Sequence, residues 1–292
     1  DIVTLEFIKD LEINGSDVSF RIVLTTPACP VKEEFEAEAK ELVGSIDGVE
    51  NVNVTMDAEV PKGRGIANNV AVPGVKNIIA VSSGKGGVGK STVAVNMAIA
   101  LSQNGAKVGL MDADVYGPNV PMMLGAGQNQ PQVGPDNKLI PIEAHGVKLI
   151  SMAVLVPPDK PMVLRGPMLH GVVRQFLSDV NWGELDFLII DMPPGTGDVQ
   201  LSITQQVPLS GAIVVTTPQD VALMDVKRGV RMFEKVNVPV LGVVENMSFH
   251  VCNKCGNTEH IFGKDKVDKM VKDLKTKVIA QFPLDSAIVS AG

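Results

Sequence analysis

The chain has 292 residues, 45% of them hydrophobic and 20% charged, which is enough for a full-sized core in one large domain or two smaller ones. A net charge of −7 gives no global electrostatic reason to bind nucleic acid or an acidic membrane surface, and no apolar run approaches the roughly 20 residues of a membrane-spanning helix. Cys29, Cys252 and Cys255 are too few for the disulfide framework of a secreted domain, so a reducing, cytoplasmic compartment is expected.

The chain opens on Asp1-Ile2-Val3 without an initiator Met, so a preceding segment is expected. Leu5 to Ile13 and Val18 to Thr25 alternate like strands, and Asn14-Gly15 between them predicts a hairpin turn. A charged amphipathic stretch from Val31 to Ile46 predicts a helix, with a strand following over Val49 to Met56. Residues 1–60 therefore read as a small α+β domain. Residues 61–75 carry three Gly and two Pro with almost no periodicity and read as a linker. Across residues 76–292, short apolar runs alternate with helical patterns, the arrangement of an α/β domain with a mostly parallel sheet flanked by helices. Its predicted central strands are Asn77–Ser82, Lys107–Met111, Phe187–Asp191, Ala212–Thr216 and Val240–Val244.

The strongest chemical signal is Gly84-Lys85-Gly86-Gly87-Val88-Gly89-Lys90-Ser91 followed by Thr92, a strict P-loop pattern between an apolar strand and a helical run. Glycines let such a loop curl so that backbone N–H groups face phosphate oxygens, and the helix N-terminus adds partial positive charge. Lys90 would neutralise the terminal phosphates while the Ser91 hydroxyl ligates Mg²⁺. Lys85, directly after the first glycine, cannot easily curl back onto its own phosphates and is free to act in trans. That extra lysine resembles the deviant Walker A class, which includes the nitrogenase iron protein and the division-site, partition and arsenite-pump ATPases. The resemblance implies a homodimer in which Lys85 reaches the partner's nucleotide. Asp191, closing the run Leu185-Asp-Phe-Leu-Ile-Ile190, is placed like a Walker B aspartate, binding Mg²⁺ through water. Pro193-Pro-Gly-Thr-Gly-Asp198 reads as a switch loop whose Gly195 N–H senses the γ-phosphate. Asp112 and Asp114 resemble the first switch of the class, with Asp114 positioning the attacking water and Asp112 nearer the metal. Asn246 resembles its adenine-reading asparagine.

Cys252-Asn-Lys-Cys255-Gly256 has the spacing of a metal knuckle, but two thiolates make only half of a four-ligand site. A two-fold dimer would complete it with a second pair; an intrachain zinc site using His250 or His260 and a redox-active pair are the alternatives. Phe249-His-Val-Cys-Asn-Lys-Cys-Gly, Asp191-Met-Pro-Pro-Gly-Thr-Gly-Asp and Asp112-Ala-Asp-Val-Tyr-Gly-Pro-Asn together resemble the Mrp/ApbC iron–sulfur cluster carrier ATPases. The N-terminal unit, with Thr25-Thr-Pro-Ala-Cys-Pro30, is similar to the MIP18-like domain of bacterial members, though its first helix is absent and the chain stops soon after Phe282-Pro-Leu-Asp285. The resemblance implies ATP and Mg²⁺ as cofactors, slow regulatory hydrolysis, a 4Fe-4S cluster bridged by Cys252 and Cys255 of two subunits, and apoprotein clients. It implies neither a nucleic-acid nor a membrane partner. A partition or positioning ATPase, or a zinc-stabilised switch protein, is the alternative function. Cys29 reads equally as a reactive thiol or a small buried hydrophobe. Met122, Met123, Met152, Met162 and Met168 read as core, and Arg165, His170 and Arg174 as a polar helix surface.

Overall fold

The computed structural model describes residues 2–25, 29, 31–59, 72–114, 117–127, 129–155 and 166–291, and among them are two compact units: Asp1–Lys62 with Gln103–Ala106, and Gly63–Ser102 with Lys107–Gly292. Residues 60–71, most of the expected linker, lie outside the described residues, as do Arg165, Met162 and the side chains of Met168 and His170.

In the first unit, β1 (Ile8–Asn14) pairs antiparallel with β2 (Asp17–Leu24), α1 (Lys32–Gly44) follows, and β3 (Asn51–Ala58) returns parallel to β2. The hairpin turn is one residue later than the Asn-Gly signal suggested. Asn14 pairs with Asp17, so Gly15 and Ser16 form the loop, and only Gly15 has a positive φ, +66°. Glycine at the first central position is the pattern of a type II′ turn. Val18, Phe20, Ile22 and Leu24, alternate residues of β2, point to one face and build a core with Ala39 and Val54. Cys29 is half-buried against the same core.

The second unit is built on an eight-stranded sheet. Its chain order is β4 (Val75–Ser83), α2 (Lys90–Gln103), β5 (Val108–Asp112), α3 (Val120–Met123), β6 (Gln132–Val133), β7 (Leu139–Ile140), β8 (Ile142–Ala144), β9 (Val147–Ser151), α4 (Gly166–Ser178), β10 (Leu185–Asp191), α5 (Asp198–Gln206), β11 (Gly211–Thr216), α6 (Asp220–Lys235), β12 (Val240–Glu245), β13 (His250–Val251), β14 (Thr258–Glu259), α7 (Lys266–Asp273), β15 (Val278–Gln281) and α8 (Ser286–Ala291). The sheet runs β15-β12-β11-β4-β10-β5-β9-β8, parallel throughout except for the β8 edge. All five predicted strands are present within one or two residues. The α/β class and the mostly parallel sheet are as expected, while the flanking strands β9, β15 and β8 add to them.

Strands β5, β10 and β11 are almost wholly apolar because helices cover both faces of a parallel sheet. Helix α6 turns Ala222, Leu223, Val226, Gly229, Val230 and Phe233 inward at helical spacing. Of the methionine group, Met152 is fully buried but Met122 is 72% exposed, since α3 is a single turn that buries Val120 and Pro121 instead. Arg174 is exposed on α4, as a surface reading requires.

Candidate nucleotide site and cysteine hairpin

Strand β4 lies between β10 and β11, which leave it in opposite directions across the sheet. In open parallel sheets, ligands bind beyond the carboxyl ends of strands at such a reversal. The P-loop starts there, directly after Ser83. Gly87 and Gly89 have φ of +78° and +85°, a left-handed backbone that side chains disfavour. Gly84 is needed for space instead: a Cβ there would lie 2.5 Å from Asp225 Cβ and 2.6 Å from its carbonyl carbon, because α6 presses on the loop.

Sheet register brings distant acids level. Asp191 at the end of β10 pairs with Asp112 of β5, which pairs with Ser151 of β9. Lys90, only 6% exposed, donates to Asp191 Oδ1 at 2.6 Å and lies 3.6 Å from Asp114 Oδ2 and 3.2 Å from Ser91 Oγ. Asp112 Oδ2 accepts from Ser151 Oγ at 2.8 Å, and its Oδ1 from the Asp114 N–H at 3.1 Å. Burial, reinforced by the Asp191 charge, pushes the Asp112 carboxyl up to about 7. Burial also raises Asp191, against the pull of Lys90.

Two carboxylates, those of Asp191 and Asp114, thus flank one ammonium, and Asp191 Oδ2 is buried with no hydrogen-bond partner. Such a site suits a hydrated divalent cation. Among the described residues, no three His, Cys, Asp or Glu side chains converge on one metal position. The unpartnered Asp191 oxygen and the Ser91 hydroxyl beside Lys90 are oxygen donors of the kind Mg²⁺ takes, one or two from the protein with phosphate oxygens and water completing the shell.

Three predicted residues have partners that the sequence did not indicate. Lys85 Nζ donates to Gln219 Oε1 of its own chain at 3.4 Å, beside the start of α6. The Gly195 N–H, expected to be available, donates to the Ser83 carbonyl at 3.0 Å. Asn246 Nδ2 donates to the Val88 carbonyl at 2.9 Å, which ties the end of β12 to the P-loop. Ser151 and Gln219 were missed altogether. For Ser151 a signal existed: it closes the strand-like run Val147-Lys-Leu-Ile150 with a small polar residue, as Asp112 and Asp191 close theirs with acids.

The cysteine pair sits on the β13–β14 hairpin, outside the main sheet. The Cys252 N–H donates to Asn257 O at 2.9 Å and the Gly256 N–H to Cys252 O at 2.8 Å, with Gly256 at φ +70° turning the chain back. N–H groups of Lys254 and Cys255 hold the Cys252 thiol below its ordinary range, followed by the Cys255 side chain. Backbone donors aimed at sulfur are what a thiolate ligand needs. Cys255 is exposed and Cys252 half-buried. His250 Nδ1 bonds Leu284 O and His260 Nδ1 bonds Ser248 O.

A P-loop on this sheet, with a buried lysine between Asp191 and Asp114, defines a P-loop NTPase. The chain belongs to the NUBPL iron-transfer P-loop NTPase family, whose model matches residues 74–292. Residues 1–55 match the model of an iron-sulfur cluster assembly protein. The iron-sulfur cluster carrier protein of Synechocystis is 49% identical, covering 100% of this chain and 84% of its own length. That of Deinococcus radiodurans is 50% identical over 98% of this chain and 80% of its own. Among solved structures, an Archaeoglobus fulgidus nucleotide-binding protein in complex with ADP is 36% identical, with a TM-score of 0.68 over 75% of this chain and 86% of that one. The Aquifex aeolicus MinD cell division protein shares the fold at 23% identity and a TM-score of 0.53, over 74% of this chain and 85% of that one. Among the described residues, no helix is long and apolar enough to cross a membrane.

Proposed function

We propose that this chain is an ATP-binding, slowly hydrolysing carrier that holds a 4Fe-4S cluster between two copies of itself and passes it to apoproteins. The observation carrying this reading is the Cys252–Cys255 knuckle: two thiols on one hairpin, that of Cys252 held by backbone donors, with no group of three ligands around them among the described residues. A second copy supplies the missing pair by symmetry. The intrachain zinc alternative, with His250 or His260 as a further ligand, is disfavoured because among the described residues these histidines join no group of three ligands. A partition or positioning role would use the same fold but gives the cysteines nothing to do.

In the nucleotide site, N–H groups of residues 84–92 cradle the phosphates and Lys90 exchanges Asp191 for a terminal phosphate oxygen. Ser91 and, through water, Asp191 would hold Mg²⁺, which neutralises charge on the phosphates. Asp114 orients the attacking water, with Asp112 beside it held by Ser151. Lys85 leaves Gln219 to reach the partner's nucleotide, and Asn246 reads adenine from its place against the loop. The Gly195 N–H leaves Ser83 for the γ-phosphate, so hydrolysis returns the switch loop to β4. Such a cycle needs only slow turnover.

Anaerobic reconstitution tests the reading. About one four-iron cluster per two chains is expected, lost in Cys252→Ala/Cys255→Ala while ATP binding persists. Zinc bound one per chain, without iron, would reject the carrier role.

A further inference from the structure

Gln200 lies in the first turn of α5, directly after the switch loop, and is 1% exposed. Its Nε2 donates to two acceptors on different segments: Ser82 Oγ of β4 at 3.1 Å and the Pro193 carbonyl of the loop at 2.5 Å. Both amide hydrogens are thereby used. Its own backbone carbonyl accepts from buried Thr204 at 2.7 Å, which fixes the amide's base on the helix.

Bonds on either side extend the pattern. The Met192 N–H donates to Val81 O at 3.0 Å and the Gly195 N–H to Ser83 O at 3.0 Å. Val81, Ser82 and Ser83, the last three residues before the P-loop, are each tied to residues 192–200 by one bond, and the middle tie belongs to Gln200. Ser83 passes the connection on, since its Oγ donates to the Lys85 carbonyl at 3.0 Å.

The same amide carries an opposing feature: Gln200 Oε1 is buried with no hydrogen-bond partner. An acceptor stripped of water and left unmade raises the energy of the arrangement that buries it. The amide therefore grips the loop through its donors and weakens that grip through its acceptor. A loop held this way is poised to be released, and release is what frees the Gly195 N–H for a phosphate.

We propose that Gln200 is a positioning residue that latches the switch loop to the strand feeding the P-loop, and that this latch sets the preference of the site between nucleotide triphosphate and diphosphate. The inference rests on the nucleotide reading above. A ligand shifts a two-state element only by its differential affinity for the two states. Weakening the docked state therefore favours whichever nucleotide binds the released one.

The test compares the full-length wild-type chain with Gln200→Met, which keeps side-chain length and removes both donors. Amide exchange at Gly195 is measured without nucleotide, and affinities for ADP and a non-hydrolysable ATP analogue are measured with Mg²⁺. Exchange at Gly195 is expected to quicken by about tenfold, and the analogue-to-ADP affinity ratio to rise by about fivefold. Exchange and ratio both within about twofold of wild type, in a folded variant, would overturn the proposal. Should Gln200→Met fail to fold, Ser82→Ala removes one acceptor with little change in volume and is expected to move both readouts the same way by less; no movement overturns the latch. A wild-type chain that binds neither nucleotide rejects the nucleotide reading instead, while exchange at Gly195 still decides the latch.

Discussion

Asp112 carries a buried charge that opposes stability at a single residue. Its carboxyl, ordinarily near 3.8, is pushed up to about 7 because the charged form is buried beside Asp191. The folded protein binds this proton more tightly than the unfolded chain, so the charge costs nothing below about pH 4 and an increasing amount as pH rises to about 7. The full cost is at most ~4 kcal/mol, taking ~1.4 kcal/mol per pH unit. Asp112→Asn keeps the size and the bond from the Asp114 N–H while removing the charge. In metal-free buffer its melting temperature is expected to exceed wild type by several degrees at pH 8 and to match it near pH 4, with ATP hydrolysis reduced. Calorimetry at the two pH values checks this, and an equal gain at both would remove the titration from the explanation.

At the scale of elements, what could be read in advance was whatever one continuous stretch of chain encodes. The P-loop was legible because its glycines, lysine and serine are contiguous, and β10 because Phe187–Ile190 is an unbroken apolar run ending in an acid. The hydrogen bond from Ser151 to Asp112 was not, since it exists only once β5 and β9 are paired in register. The grip of Gln200 on Ser82 and Pro193 depends likewise on tertiary placement. The same limit hides why Gly84 must be glycine. As a motif letter it serves the loop's curl, but the structure puts the backbone of α6 where a Cβ would be. Gly84→Ala is therefore expected to destabilise the chain by about 1–3 kcal/mol, the usual cost of overpacking. It is also expected to weaken ATP binding by about tenfold, because loop and helix must separate. Denaturant melts and nucleotide titration measure the two effects, and an alanine variant with both unchanged would show that α6 gives way freely.

At the scale of the whole molecule, mixing chains separates a cluster shared between two copies from a metal held by one. Wild-type and Cys252→Ala/Cys255→Ala chains, differing in an affinity tag, are co-expressed in equal amounts so that they pair at random. If the cluster needs four thiolates from two copies, only pairs of two wild-type chains load, which is about one quarter of all pairs by random assortment. If each chain holds its own metal, half of the chains load. Iron per chain should therefore fall with the square of the wild-type fraction, and mixed pairs isolated through the two tags should carry no cluster. On the proposed two-copy reading, the exposed Cys255 and the half-buried Lys85, which donates to Gln219 at 3.4 Å, are the groups that a partner would reach. If Lys85 acts on its partner's phosphates as proposed, Lys85→Ala placed in one chain of a mixed pair should slow hydrolysis in the other. A linear fall of iron content, with hydrolysis lost only in the chain carrying the substitution, would make the single chain the working unit.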